Sequence, residues 1–325
     1  MDLRHPEQLL YAARDGDRAA TGRLLSLVER GGQPARQLSR LTMRSAVADV
    51  AIIGVTGAPG VGKSTLVARL IARARSEAQR VAVLAVDASS PRSGGAFLGD
   101  RIRMQNRGAD PGVFIRSMAN RGNLDGLTVT AHLAIRVLMS VGVEAILIET
   151  VGVGQGDPQI RRAVDTTVVV LSPGWGDAVQ FDKAGLLEAA DVLVVNKADG
   201  PGATKTSRDL TTMLEVGAST STKTGAWRPP IVMTCATEGQ GIKELWDELA
   251  AHRTHLDHNG LLAARRDDQL LDELDHVLVD RLITRVASAM GSKAWAKACS
   301  EVVSRRLDPY TAADRLLQDQ AWGCR

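Results

Sequence analysis

Cysteine is scarce in this chain, with three among 325 residues: Cys235, Cys299 and Cys324. An odd number so widely spaced supports neither a disulfide framework nor a zinc site. No stretch of about 18 uncharged apolar residues occurs, as a membrane-crossing helix would need. The opening Met1-Asp2-Leu3-Arg4-His5-Pro6 starts no apolar leader. Excess charge is missing too: 40 basic against 37 acidic residues leave +3, too little to argue for nucleic acid or a membrane surface. Internal repeats and low-complexity tracts are also absent. What remains, 44% hydrophobic and 24% charged, describes a soluble intracellular protein with one large core and smaller appendages. A cytoplasmic location is expected, with neither nucleic acid nor membrane as partner.

One motif dominates what is present. Gly57-Ala58-Pro59-Gly60-Val61-Gly62-Lys63-Ser64-Thr65 matches the phosphate-binding loop G-x-x-x-x-G-K-[ST] at every fixed position. The apolar run Ala51 to Val55 leads into it, and an amphipathic stretch with Leu66, Leu70 and Ile71 leaves it. That is the strand–loop–helix setting the motif requires, which a mere glycine-rich turn lacks. The glycines let backbone N–H groups turn inward around a β-phosphate, at a helix N-terminus that itself favours negative charge. Lys63 is expected to reach the β- and γ-phosphates, and the Ser64 hydroxyl to take one position on Mg²⁺.

The base is indicated far downstream. Val192 to Val195 reads as a buried parallel strand, and it ends in Asn196-Lys197-Ala198-Asp199, the N-K-x-D pattern of GTPases. A carboxylate here accepts from both guanine N1–H and the exocyclic amine, whereas adenine offers only an acceptor at N1. A site built around that pair rejects the wrong base by leaving a buried charge unpaired. Lys197 would lay its stem along the purine. Alone, N-K-A-D could be a surface turn; together with the phosphate loop it points to GTP and GDP as ligands.

Three regions follow: an N-terminal helical extension (1–49), a GTPase domain (50–254) and a C-terminal helical arm (255–325). In the first, Leu9, Leu10, Ala13 and then Leu24, Leu25, Leu27 and Val28 mark a helical pair, broken at Gly31-Gly32-Gln33-Pro34. In the second, short β-branched runs alternate with helical patterns, which predicts a doubly wound, mostly parallel α/β sheet. Strands are expected at 51–56, 81–86, 113–116, 145–149, 167–171, 192–195 and 231–235, with a crossover helix at 123–141. The third shows an apolar stripe of Leu270, Leu271, Leu274, Leu278, Leu282 and Val286. There, too, Asp308-Pro309 reads as an N-cap followed by Pro at the first helical position.

Long loops follow three of the strands. The segment from Ala88 to Met104, after Asp87, is too long for a plain connector and resembles a switch that reorganises with the γ-phosphate. Glu149-Thr150-Val151-Gly152-Val153-Gly154-Gln155-Gly156 has an acid and a Gly three residues on, mimicking the D-x-x-G element that senses γ-phosphate and Mg²⁺. Ser172-Pro173-Gly174-Trp175-Gly176-Asp177-Ala178-Val179-Gln180-Phe181-Asp182-Lys183 follows strand 167–171. All three lie at carboxyl ends of strands, where open α/β sheets bind ligands.

The strings V-D-x-S-S-x-R-x-G-G-x-x-L-G-D-x-x-R-M, E-T-V-G-V-G-Q, P-G-x-G-D and N-K-A-D together resemble the MeaB/ArgK family, whose animal relative is the methylmalonic aciduria type A protein. The resemblance covers nearly the whole chain. It implies a P-loop GTPase that acts as chaperone of a cobalamin-dependent acyl-CoA mutase. Such a chaperone gates adenosylcobalamin loading and protects or reactivates the mutase, working as a homodimer through the C-terminal arm. Adenosylcobalamin belongs to the partner. By the same resemblance Lys63, Ser64 and Thr65 bind phosphate and metal. Asp87, Asp100 and Glu149 group around Mg²⁺, with Asp100 as the direct ligand and the other two acting through water. Asp177, Gln180 and Lys183 form the extra switch, with Lys183 implicated in hydrolysis. Without the family, Asp100 would read as a solvated loop acid and Lys183 as a solvent-facing lysine on the first turn of a helix at 180–189. Cys235-Ala236 stands where Ser-Ala braces guanine O6, a role the Ala236 N–H retains.

The chain departs from the family pattern at Ala88, Pro91, Ser93, Ala96, Phe97, Arg101 and Ile102, at Gly156-Asp157, at Trp175 and at Phe181-Asp182. These switch changes suit a branch serving a mutase other than the methylmalonyl-CoA enzyme. Trp175 is either a local packing residue or an anchor for a partner. His252, His255 and His258 recur every third residue without a Cys or Glu cluster and read as a solvated helical face. Arg265-Arg266 followed by Asp267-Asp268 reads as surface charge pairing. Two other classes stay open. A metal-delivery GTPase would carry Cys/His clusters, which are missing here. A small-molecule, transport-related kinase would need an acceptor pocket and a general base near the γ-phosphate, for which Asp87 could serve.

Overall fold

Runs of Val, Ile and Leu too short for helices become strands: β1 (Ala51–Gly57), β2 (Val81–Ala88), β3 (Val113–Asn120), β4 (Ala145–Thr150), β5 (Thr166–Leu171), β6 (Val192–Asn196) and β7 (Ile231–Thr234). The computed structural model describes residues 5–43, 49–88, 110–120, 129–150, 160–174, 189–219, 227–289 and 293–318. The strands form one parallel sheet in the order β3-β2-β4-β1-β5-β6-β7. From β1 the chain passes to the β2–β3 side, returns through β4, and then crosses to β5. The winding therefore changes direction beside β1, and a crevice opens at its carboxyl end.

Each expected strand is present. β3 runs on past residue 116, with Ser117 to Asn120 in register with Ala85 to Ala88 of β2, and Arg116 pairs with Glu29 and donates to Ser26 Oγ at 3.2 Å.

Alternation along the strands divides the core. Ile52, Leu84, Ile146 and Ile148 face Leu9, Leu24, Leu25, Leu38 and Leu138. These come from α1 (Pro6–Arg14), α2 (Arg18–Arg30), α3 (Gly32–Met43) and α5 (Val129–Ser140). Val55, Val83, Val168, Val170 and Val194 face the other way, onto Leu66, Leu70 and Ile71 of α4 (Lys63–Ser76) and Leu245 and Leu249 of α7 (Ile242–His258). A third cluster joins Val169, Leu193 and Val195 to Leu210 of α6 (Ala203–Ser219). A sheet covered on both faces explains strands that are apolar throughout.

Among its described residues the N-terminal region holds three helices, not the expected pair. Gly16, at φ +95, breaks the chain between α1 and α2, and the Asp17 carboxylate caps α2 by accepting from Ala19 N at 2.8 Å and Ala20 N at 3.1 Å. The Gly31-Gly32-Gln33-Pro34 break is a single turn: α3 restarts at Gly32, with Pro34 in its first turn, where a missing N–H costs nothing. Of the expected crossover helix, residues 129–140 are helical; 121–128 lie outside the described residues.

The amino ends of the strands carry a polar cluster that the sequence reading missed. Asp165, just before β5, is 1% exposed, and its carboxylate accepts from Ile52 N at 3.2 Å and Arg266 Nη2 at 2.9 Å. Asp191, just before β6, accepts from Thr167 N at 2.8 Å and from both terminal nitrogens of Arg265, at 3.0 and 3.2 Å. His252 is fully buried. Its Nδ1 shares a 2.8 Å hydrogen bond with Thr166 Oγ1, its Nε2 lies 3.4 Å from Asp191 Oδ1, and Trp227 lies against its ring at 4.8 Å. Burial pushes the Asp191 carboxyl up, but hydrogen bonds from His252 and Arg265 outweigh it and hold the group at about 2.

Two expectations are corrected here. The 252–258 face is not wholly solvated, since His252 is core. Arg265 and Arg266 also reach across the fold to buried acids, not to Asp267 and Asp268, because adjacent residues on a helix do not face each other.

The chain forms two compact units, residues 1–269 and 270–325. α8 (Leu261–Ala289) begins in the first and continues in the second, which also contains α9 (Lys293–Val303) and α10 (Pro309–Gln318). As expected, Asp308 caps α10, accepting from Tyr310 N and Thr311 N at 3.0 Å each. On α8, Leu271 and Leu274 are each 61% exposed and Leu278 is 55% exposed.

Candidate functional site

β1 ends at Gly57 with φ +145, where a Cβ would lie 2.2 Å from the Val170 carbonyl oxygen of the neighbouring strand. Gly62, at φ +97, opens α4, and a Cβ there would lie 2.4 Å from Asn196 Nδ2. These two glycines are thus demanded by close approach as well as by conformation. α4 starts without a side-chain cap, so its first turn presents main-chain N–H groups and the helix's positive end to the loop. Lys63 is 8% exposed, and its Nζ donates to the carbonyls of Gly57 at 2.8 Å and Ala58 at 3.0 Å. An ammonium held by two loop carbonyls beside the amino end of a helix is a receptor for a polyanion.

Ser64, one residue on, donates to Glu149 Oε1 at 2.7 Å. Register explains the meeting: Glu149 sits opposite Val55, so the end of β4 lies beside the end of β1. Thr150 Oγ1 donates to Thr56 Oγ1 at 3.2 Å and ties the same two strand ends. Glu149 is 6% exposed. Asp87 stands near the carboxyl end of β2, paired with Ala119, while its neighbour Val86 is paired with Thr150 of β4. Asp100, Asp177, Gln180 and Lys183 lie outside the described residues, as do Gln155 and Trp175.

The second half of the site is bolted to the first by Asn196. Its Nδ2 donates to the Val61 carbonyl at 2.8 Å, while its Oδ1 accepts from Thr234 Oγ1 at 3.0 Å and Ala236 N at 3.1 Å. One carboxamide, 2% exposed, therefore joins the phosphate loop, the end of β6 and the turn after β7. Lys197, in the left-handed region at φ +59, donates from Nζ to the Gly60 carbonyl at 2.8 Å. Asp199, two residues on, is exposed. Cys235 is buried beside Ala236, its Sγ 3.3 Å from Thr237 Oγ1. The structure thus brings together Gly57 through Thr65, Glu149, Asn196, Lys197, Cys235 and Ala236. Thr234 and Arg69, which donates to the main-chain carbonyls of Ala236 and Thr237, were missed by sequence reasoning. No local pattern marks an arginine whose partners lie 167 and 168 residues away.

A family model described as methylmalonyl-CoA mutase-associated GTPase MeaB matches residues 21–291. The chain belongs to the MeaB family. It is a GTPase, and as such it binds GTP and GDP. A relative from Pyrococcus abyssi is 43% identical over 96% of both chains. The mouse methylmalonic aciduria type A homolog is 32% identical over 98% of this chain and 80% of its own length. GTPase ArgK of Escherichia coli is 33% identical over 80% of each. A solved structure described as a LAO/AO transport system kinase superposes with a TM-score of 0.68 over 97% of each chain at 22% identity, a likeness of fold alone. No helix among the described residues is long and apolar enough to cross a membrane.

Proposed function

We propose that this MeaB-family GTPase is a chaperone of a cobalamin-dependent acyl-CoA mutase, using GTP to gate adenosylcobalamin loading, protection or reactivation of that enzyme. The observation that carries the reading is the family match over residues 21–291, to a model described as mutase-associated. In this reading Gly57 to Thr65 hold the phosphates, and Asn196, Lys197 and Asp199 with Cys235 and Ala236 hold guanine. The hard oxygens of Ser64 and Glu149, 2.7 Å apart beside the phosphate loop, fit Mg²⁺, which takes one or two carboxylates plus substrate phosphates. Asp100 is the direct carboxylate ligand in this reading, with Glu149 and Asp87 acting through water. When bound, the ion neutralises charge on the phosphates.

The loops expected to answer to nucleotide, around 88–104, 150–157 and 173–183, leave β2, β4 and β5. β4 and β5 flank β1, and β2 lies beyond β4. Asp177, Gln180 and Lys183 belong to the last of these loops and would assist hydrolysis. Nucleotide can drive the mutase only if the GTP and GDP states bind it with different free energies. The exposed stripe of Leu271, Leu274 and Leu278 supports a homodimer through the C-terminal arm, since an isolated helix does not leave such a face to water.

Steady-state GTP hydrolysis, with and without the cobalamin-dependent mutase from the same source, tests the proposal. Stimulation by the mutase is expected. No stimulation, with phosphate appearing instead on a small-molecule acceptor, would replace the reading with a kinase.

A further inference from the structure

The turn after β7 is closed on itself on one side only. Cys235 N donates to Gln240 O at 3.1 Å, and the N–H groups of Glu238, Gly239 and Gln240 converge on Cys235 O at 3.1, 2.8 and 3.2 Å. Ala236 and Thr237, at its head, turn their carbonyls away from this ring and toward α4. There Arg69 takes both: its Nε donates to Ala236 O at 2.8 Å, and its Nη2 donates to Thr237 O. On the opposite side of the same residue, Ala236 N donates to Asn196 Oδ1 at 3.1 Å.

Peptide units are planar. Seizing the two carbonyls therefore fixes the planes of peptides 236–237 and 237–238, and with them the direction of the Thr237 N–H. Ala236 is gripped from both sides, by Asn196 at its N–H and by Arg69 at its carbonyl. Arg69 stands six residues after Lys63 on one continuous helix, about 9 Å along its axis. The helix that presents the phosphate-binding groups thus also holds the turn that presents donors to the base.

We infer that Arg69 is a positioning residue for guanine specificity, holding the 236–237 main chain so that the Thr237 N–H is presented to guanine O6. Arg69 touches neither base nor phosphate. It acts by pre-organising the turn, so that no ordering of the loop is charged against base binding. Lysine cannot reproduce it, because a single ammonium lacks the planar fork that spans two carbonyls. The inference rests on the assignment of this turn and Asp199 to guanine.

The test is equilibrium binding of GDP, ADP and inorganic pyrophosphate to the full chain and to Arg69→Ala and Arg69→Lys. Losing two such hydrogen bonds is expected to weaken GDP about tenfold in Arg69→Ala, with Arg69→Lys intermediate. ADP and pyrophosphate should bind as they do to the parent, so the preference for GDP over ADP falls by the same factor. An unchanged preference in Arg69→Ala would overturn the inference. So would an equal loss for GDP and pyrophosphate, which would make Arg69 a prop for α4 and not for the base turn. If the unmodified chain itself prefers GDP no more than ADP, the guanine assignment fails first, and that result is read without any Arg69 variant.

Discussion

Removing one buried charge at the amino ends of the strands should change stability by an amount that depends on pH in a calculable way. Asp191 is 4% exposed and bound by both terminal nitrogens of Arg265, by Thr167 N and by the neighbouring His252. Its carboxyl titrates at about 2 in the folded chain against 3.8 when free. At about 1.36 kcal/mol per pH unit, the ionised form stabilises the fold by about 2 kcal/mol near neutrality. Because the folded value is the depressed one, this contribution is complete well above 3.8 and is lost as pH falls through 2. Nearly all of it remains at pH 5 and about half at pH 3. Asp191→Asn keeps the shape and cannot titrate. Urea denaturation of parent and variant, followed by far-ultraviolet circular dichroism, reads the gap between them. That gap should narrow by about 1 kcal/mol from pH 5 to pH 3 as the parent loses its advantage. A gap that stays constant or widens on acidification would refute the claim that Arg265 and His252 hold this carboxylate ionised.

Two further outcomes follow from the site and the arm. Lys63→Ala removes the ammonium held by Gly57 and Ala58 and should weaken GDP by about two orders of magnitude in calorimetry; unchanged binding would refute the phosphate assignment. Leu274→Glu together with Leu278→Glu places charge on the exposed stripe of α8 and should yield monomers by light scattering, whereas a persistent dimer would remove the arm as its interface.

Much of the site was legible because the chemistry of nucleotide binding is carried by contiguous residues. Gly57 to Thr65 and Asn196 to Asp199 each sit at the end of an apolar run, and both runs are strands. The glycines at 57 and 62 could be read as loop formers. That a Cβ at Gly62 would strike Asn196 Nδ2 was beyond reach, since it depends on β6 lying close to α4. The misreadings share a cause. His252, Arg265 and Arg266 were judged by their neighbours in sequence, while their partners, Asp165, Asp191 and Thr166, are contributed by strand starts some 60 to 100 residues earlier. Likewise Gly31 to Pro34 is a strong breaker, yet the chain resumes a helix at once, and α3 packs against α1, α2 and α5.

By itself, then, the chain's composition and periodicity determine that it is an α/β protein and where the seven strands among the described residues lie, and its two short motifs determine which ligand it is built for. These are local properties: strand and helix periods, turn residues and the donors of a few consecutive peptides. The tertiary structure alone decided that Asn196 rivets the phosphate loop to the base turn, that Arg69 braces that turn from the phosphate helix, and that paired arginines neutralise two buried acids where the strands begin. Each of these is a polar group removed from water, and such a group persists only if the fold brings it a partner. Where that partner comes from is a matter of strand order, which no local pattern records.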